Sequence, residues 1–105
     1  MADSTNDGNM DDEKLVLQLY VSGMTMKSME AIENITRLCE EHLQGGGYEL
    51  EIIDLYKNPQ VASEQQIVFS PSLVRQFPLP RKTLIGTFAD SAEVIKSLGI
   101  RIKDK

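Results

Sequence analysis

Residues 15–43 read LVLQLYVSGMTMKSMEAIENITRLCEEHL, and the change of period inside this stretch decides the fold. Leu15, Leu17, Leu19 and Val21 alternate with Val16, Gln18 and Tyr20. A repeat of two is a strand, and a run this rich in leucine, valine and aromatic side chains suits a central, largely buried one. Gly23 breaks the run, and Thr25 or Ser28 can cap a helix. Met26, Met29, Ile32, Ile35, Cys39 and Leu43 then recur at steps of three and four, which predicts one apolar stripe of a helix. Glu33 and Arg37 stand four apart on its polar side. The glycines 45–47 end the helix.

A strand that turns straight into a helix is where α/β proteins build sites. The turn Ser22–Ser28 holds no Cys, His or carboxylate, and its single glycine is too few for a phosphate cradle. Its hydroxyls, Ser22, Thr25 and Ser28, have no base nearby in sequence and are expected to cap the helix.

Downstream, Tyr48–Leu55 alternates again, with Tyr48, Leu50 and Ile52 on one face and Glu49 and Glu51 on the other. A helix between two strands is a βαβ unit, so these strands should run parallel with a right-handed crossover. Asn58-Pro59 suits the start of a short helix to about Gln66. Ser70-Pro71-Ser72-Leu73-Val74 opens a third strand, and Arg81–Ile85 should pair with it as a hairpin across Pro78-Leu79-Pro80. Asp90 or Ser91 caps a last helix carrying Ala92, Val94, Ile95 and Leu98. The order is βαβαββα, the thioredoxin-like α/β arrangement. Two segments conflict with it: Ile67-Val68-Phe69 is β-prone where a helix ends, and residues 99–103 alternate directly after a helix. Such conflict predicts marginal stability or a second packing of this half.

The chain has 105 residues, enough for one domain. Residues 1–14 carry five acids against one lysine and almost nothing apolar, so they should form a disordered acidic tail before a domain at 15–105. The net charge is −5, and outside the tail acids crowd the first half and bases the second. That polarity is either ordinary solvated surface or two faces suited to protein partners or self-association. Nucleic acid is disfavoured, because no aromatic-studded strand accompanies the few bases. No apolar run is long enough to span a bilayer, and no signal-peptide pattern is present. One cysteine, Cys39, cannot form an internal disulfide and agrees with a cytoplasmic protein.

An oxidoreductase reading needs a nucleophilic thiol in the first turn, where Met24, Thr25, Met26 and Lys27 stand instead. Cys39 is expected in the core, and His42 at a solvent-facing helix end. Met24, Met26 and Met29 suggest a core or interface stripe before a soft-metal site. The sequence points to no enzyme, cofactor or metal.

Several stretches together, Leu19-Tyr20-Val21 with Gly23 and Thr25, Lys57-Asn58-Pro59-Gln60, Ser70-Pro71 with Leu73, and Pro80 with Lys82, Ile85 and Gly86, closely resemble the KaiB family of circadian-clock proteins. The resemblance covers about residues 15–98. It implies a thioredoxin-like fold without thioredoxin's activity, and a protein that binds a KaiC-like ATPase in competition with a sensor histidine kinase carrying a similar domain. It also implies a second fold of the later half, exchanged between a tetrameric resting form and a monomer, and a homodimer or homotetramer is the expected assembly. Clock members carry basic residues on the first helix and second strand, where this chain has Glu30, Glu33, Glu49 and Glu51. With Ser28 these are the candidate contacts. A basic C-terminus also replaces the acidic tail of clock members, which suggests stress-response rather than rhythmic regulation. Two alternatives remain, a thioredoxin-like sensor or adaptor domain that keeps one fold, and a redox protein using Cys39. Ser70 and Pro71 are the fold-switch or cis-proline candidates, the competing reading being a plain strand-opening proline.

Overall fold

The computed structural model describes residues 14–43, 47–67 and 69–99. The elements run β1 (Leu15–Val21), α1 (Met26–His42), β2 (Tyr48–Asp54), α2 (Pro59–Glu64), β3 (Ser72–Phe77), β4 (Lys82–Ile85) and α3 (Ser91–Leu98). The expected acidic tail, most of the glycine run, Val68 and the alternating segment after Gly99 lie outside the described residues.

The four strands form one sheet in the order β2-β1-β3-β4. β1 pairs parallel with β2, Leu15 opposite Tyr48 through Val21 opposite Asp54. It pairs antiparallel with β3, which pairs antiparallel with β4. The thioredoxin-like order read from the sequence is the order observed, and the first strand is central.

Alternation along β1 loads both faces of the sheet. Leu17, Leu19, Val21 and Leu73 meet Ala31, Ile35, Leu38 and Cys39 of α1 and Val94 and Leu98 of α3. On the other face Tyr20, Val74 and Ile67 pack with Val61 and Ala62 of the short α2.

The stripe predicted for α1 is corrected at its N-terminal end. The buried side is Ser28, Ala31, Ile35, Leu38 and Cys39, while Met26 and Met29 are exposed. Ser28 and Ala31 are small enough to bring the first turns of the helix close against the sheet. Counting apolar residues therefore turned the stripe toward the methionines.

Caps follow local chemistry. Thr25 is the N-cap of α1, its hydroxyl accepting from the Ser28 N–H at 3.1 Å. Asp90 caps α3 by accepting from the Glu93 N–H at 3.2 Å, and Gly99 closes it in the left-handed conformation. Asn58 holds the N-cap position of α2 without a side-chain cap; its amide donates to the Asp54 carbonyl at 3.2 Å instead. The Glu33–Arg37 pair forms at 3.5 Å on exposed surface, where it contributes well under about 1 kcal/mol.

Arg75 does not belong to the basic surface suggested by the charge distribution. It is 7% exposed. It lies opposite Leu17 in register, which places it on the helix-covered face. Its guanidinium donates to the Leu98 carbonyl at the end of α3 and to the Pro80 carbonyl at 2.6 Å.

Candidate partner-binding surface

The end of β1 is held by a compact polar knot. Ser28 Oγ accepts from the Ser22 N–H at 3.3 Å and from the Thr25 hydroxyl at 3.0 Å. Ser22 Oγ donates to Ser70 Oγ at 3.0 Å, tying the turn to the loop before β3. The Ser70–Pro71 peptide is cis, as are Phe77–Pro78 and Leu79–Pro80. Every hydroxyl of the turn is thus engaged in holding backbone or another hydroxyl. Among the described residues none of them hydrogen-bonds a general base.

Ser28, one of the candidate contacts, lies on the inner side of α1. It is buried beneath the turn, where its hydroxyl holds the Ser22 N–H and the Thr25 hydroxyl.

Asp54, at the end of β2, fixes the turn from the other side. Its Oδ1 accepts from the Gly23 N–H at 3.0 Å and the Tyr56 N–H at 2.9 Å. These two N–H groups, Tyr56 first, hold the carboxyl below its ordinary value. A carboxylate depressed in the folded state adds stability above the ordinary carboxylate range, near pH 3.9. That contribution fades as pH falls through the lowered folded value. A carbon-detected NMR titration should therefore show Asp54 titrating below the usual range. In Asp54→Asn the urea unfolding midpoint should fall less steeply as pH drops below about 4.

Gly23 has φ +69°, and a Cβ there would stand 2.9 Å from the Tyr56 ring. The ring therefore lies across the turn. Phe69 adjoins Ser70, which the Ser22 hydroxyl ties to the turn. Met24, Tyr56 and Phe69 are all exposed, and Met26 and Met29 continue the exposed apolar surface along the first turns of α1. Exposed apolar clusters of this kind mark interaction surfaces. The sequence pointed to the turn but not to Tyr56 or Phe69. Nothing local signals them, because parallel pairing of β1 with β2 and the Ser22–Ser70 contact bring them in from afar.

The acidic candidates do not form one surface. Glu30 and Glu33 are exposed on α1. Glu49 and Glu51 alternate with Tyr48 and Leu50, which face the α1 side, so they point to the opposite face of the sheet. There Gln18 Nε2 donates to Glu51 at 3.1 Å, and Lys14 approaches Glu49 to 4.0 Å. Gln18 Oε1 also accepts from the Tyr20 hydroxyl at 2.6 Å and from Gln76 at 2.7 Å. Burial raises the Tyr20 phenol above its ordinary value, so the phenol stays protonated and donates to Gln18.

Cys39 is buried, and burial pushes its thiol up to about 11, the reverse of an activated cysteine. His42 is partly buried at the end of α1, 4.0 Å from Glu41. Among the described residues no three His, Cys, Asp or Glu side chains converge as metal ligands, and no helix is long and apolar enough to cross a membrane.

The class is therefore a thioredoxin-like fold whose first turn carries methionines and hydroxyls in place of a thiol centre. A family model described as the KaiB domain matches residues 18–100. The chain belongs to the KaiB family. It is 41% identical over 91 residues to circadian clock protein KaiB3 of Synechocystis, covering 87% of this chain and 88% of that one. It is 39% identical over 85 residues to the circadian clock oscillator protein KaiB of Microcystis aeruginosa, covering 81% of each. In structure it is similar to the N-terminal domain of Synechococcus elongatus SasA, with TM-score 0.66, 20% identity, and 89% and 90% of the two chains covered. It is also similar to the Drosophila thioredoxin Deadhead, with TM-score 0.63, 16% identity, and 87% and 84% covered. At these identities the structural likenesses speak to fold alone.

Proposed function

We propose that this chain is a non-enzymatic, cytoplasmic interaction module that docks a KaiC-like ATPase through the end of β1 and the outer side of α1. The carrying observation is the exposed apolar cluster of Met24, Met26, Met29, Tyr56 and Phe69 around a turn whose polar groups are already used internally. Membership in a family of clock proteins supports the partner class. Glu30 and Glu33 flank the cluster, so the partner should present basic residues there. Its role is stress-linked or clock regulation of that ATPase, and neither a thiol reaction at Cys39 nor a cofactor enters into it. The likeness to the SasA domain favours one second reading, an adaptor that keeps the thioredoxin-like packing. An NMR fingerprint with and without the ATPase separates the two, since a fold-switching protein shows a second slowly exchanging set of peaks.

Gel filtration with the cognate ATPase in each nucleotide state is the direct test. Co-elution in at least one state is expected, and none in either overturns the proposal. Glu30→Lys with Glu33→Lys should weaken docking roughly tenfold, more at low salt than at high. The matched pair Glu49→Lys and Glu51→Lys, on the other face of the sheet, should leave it nearly unchanged.

A further inference from the structure

Three thioethers stand on the proposed docking surface within six residues of chain. Met24 is 72% exposed, Met26 83% and Met29 51%. Met26 and Met29 are three apart and share one side of α1, and Met24 precedes the cap. All three lie outside both clusters of core residues. Exposed thioethers are open to two-electron oxidants, which convert a flexible apolar side chain into a polar one. The one thiol is shielded, since Cys39 is 1% exposed on the inner side of the same helix, and its raised thiol carries almost no thiolate at neutral pH.

We propose that Met24, Met26 and Met29 form an oxidation site for hydrogen peroxide and related two-electron oxidants, and that their conversion to sulfoxides releases the docked partner. The release rests on the docking reading above; the oxidation does not. At each residue the sulfur lone pair attacks one peroxide oxygen and a sulfur–oxygen bond forms. The oxygen–oxygen bond breaks, and the departing oxygen leaves as water after proton transfer. The sulfur loses two electrons and the peroxide gains them. A sulfoxide placed where an apolar knob was buried against the partner keeps its water and resists docking. Because these side chains sit outside the core, the fold itself is unaffected. Thiol-dependent methionine sulfoxide reductases reverse the step.

Peptide mapping by mass spectrometry after graded peroxide treatment tests the site. Met24, Met26 and Met29 should each gain one oxygen at doses that leave Cys39 still available for alkylation after unfolding. Prior oxidation of Cys39, or resistance of the three methionines, overturns the assignment. Docking to the KaiC-like ATPase is then measured before and after treatment and after reductase, with thermal melts alongside. Oxidation should weaken docking at least roughly tenfold with the melt unchanged, and reductase should restore it. In a variant with Met24→Leu, Met26→Leu and Met29→Leu, whatever affinity the untreated protein has should be the same after peroxide. Equal docking by oxidised protein, or equal loss in the leucine variant, overturns the release. If untreated protein fails to dock, the docking reading falls and the release falls with it, while the map still decides the oxidation site.

Discussion

Leu19→Ala should cost about 2–5 kcal/mol of folding stability. The side chain is fully buried. Its strand is central, and in register it has Ile52 on one side and Leu73 on the other. Ladders on both sides hold the backbone in place, and Ile35, Leu38 and Leu98 of the same core press from above. The cavity left by truncation therefore has little freedom to collapse, which favours the upper part of that range. A domain of this size has about 5–15 kcal/mol in all, so the variant should sit near the edge of folding. Urea unfolding should show a lower midpoint with an unchanged slope. The contrasting change is Ile85→Ala on exposed surface at the sheet edge, which should stay within about 0.5 kcal/mol. Equal losses at the two sites would mean that the core does not centre on β1.

The legible parts of this molecule are those governed by local periodicity. The two-residue alternation of Leu15–Val21 announced a strand buried on both faces, and the glycine and caps that follow bounded the helix. The parallel pairing of β1 with β2 follows from the crossover rule once both are placed, while the antiparallel pairing of β1 with β3 has no local signal. The misread parts share a different cause. Ser28 and Ala31 line the buried side of α1 although neither is a large apolar residue, so the stripe drifted to Met26 and Met29, which are exposed. Glu49 and Glu51 were seen to alternate away from Leu50. Which face of the sheet α1 covers was then needed to separate them from Glu30 and Glu33. The register supplies that step, since Leu17 pairs with Leu50 and Leu17 lies on the α1 side. Asp54 gave no local sign at all. Its task depends on a Gly23 N–H 31 residues away, presented by the parallel register.

Arg75 is the other residue whose place composition hid, and its removal should have the second large effect. Arg75→Met keeps most of the stem's volume and removes the guanidinium. The Leu98 and Pro80 carbonyls then lose their donors. Each hydrogen bond to a charged group is worth about 1.5–3 kcal/mol, and a buried acceptor left unsatisfied costs about 1–3. An opposing effect exists, because Arg75 Nε is itself buried without a partner among the described residues, and that burden disappears with the side chain. Two charged bonds outweigh one orphan N–H, and the positive charge at the C-terminal end of α3 adds a favourable interaction with the helix dipole. The net loss should be about 2 kcal/mol. The loss should also be local. Hydrogen exchange at the α3 amides should quicken more than at those of α1, because α3 is pinned to the sheet at the carbonyl that Arg75 holds. Arg75→Lys can reach one carbonyl but not both, so it should fall between the two. Methionine at position 75 with unchanged stability and unchanged α3 exchange would show that Arg75 fills space and does not tie the last helix to the sheet.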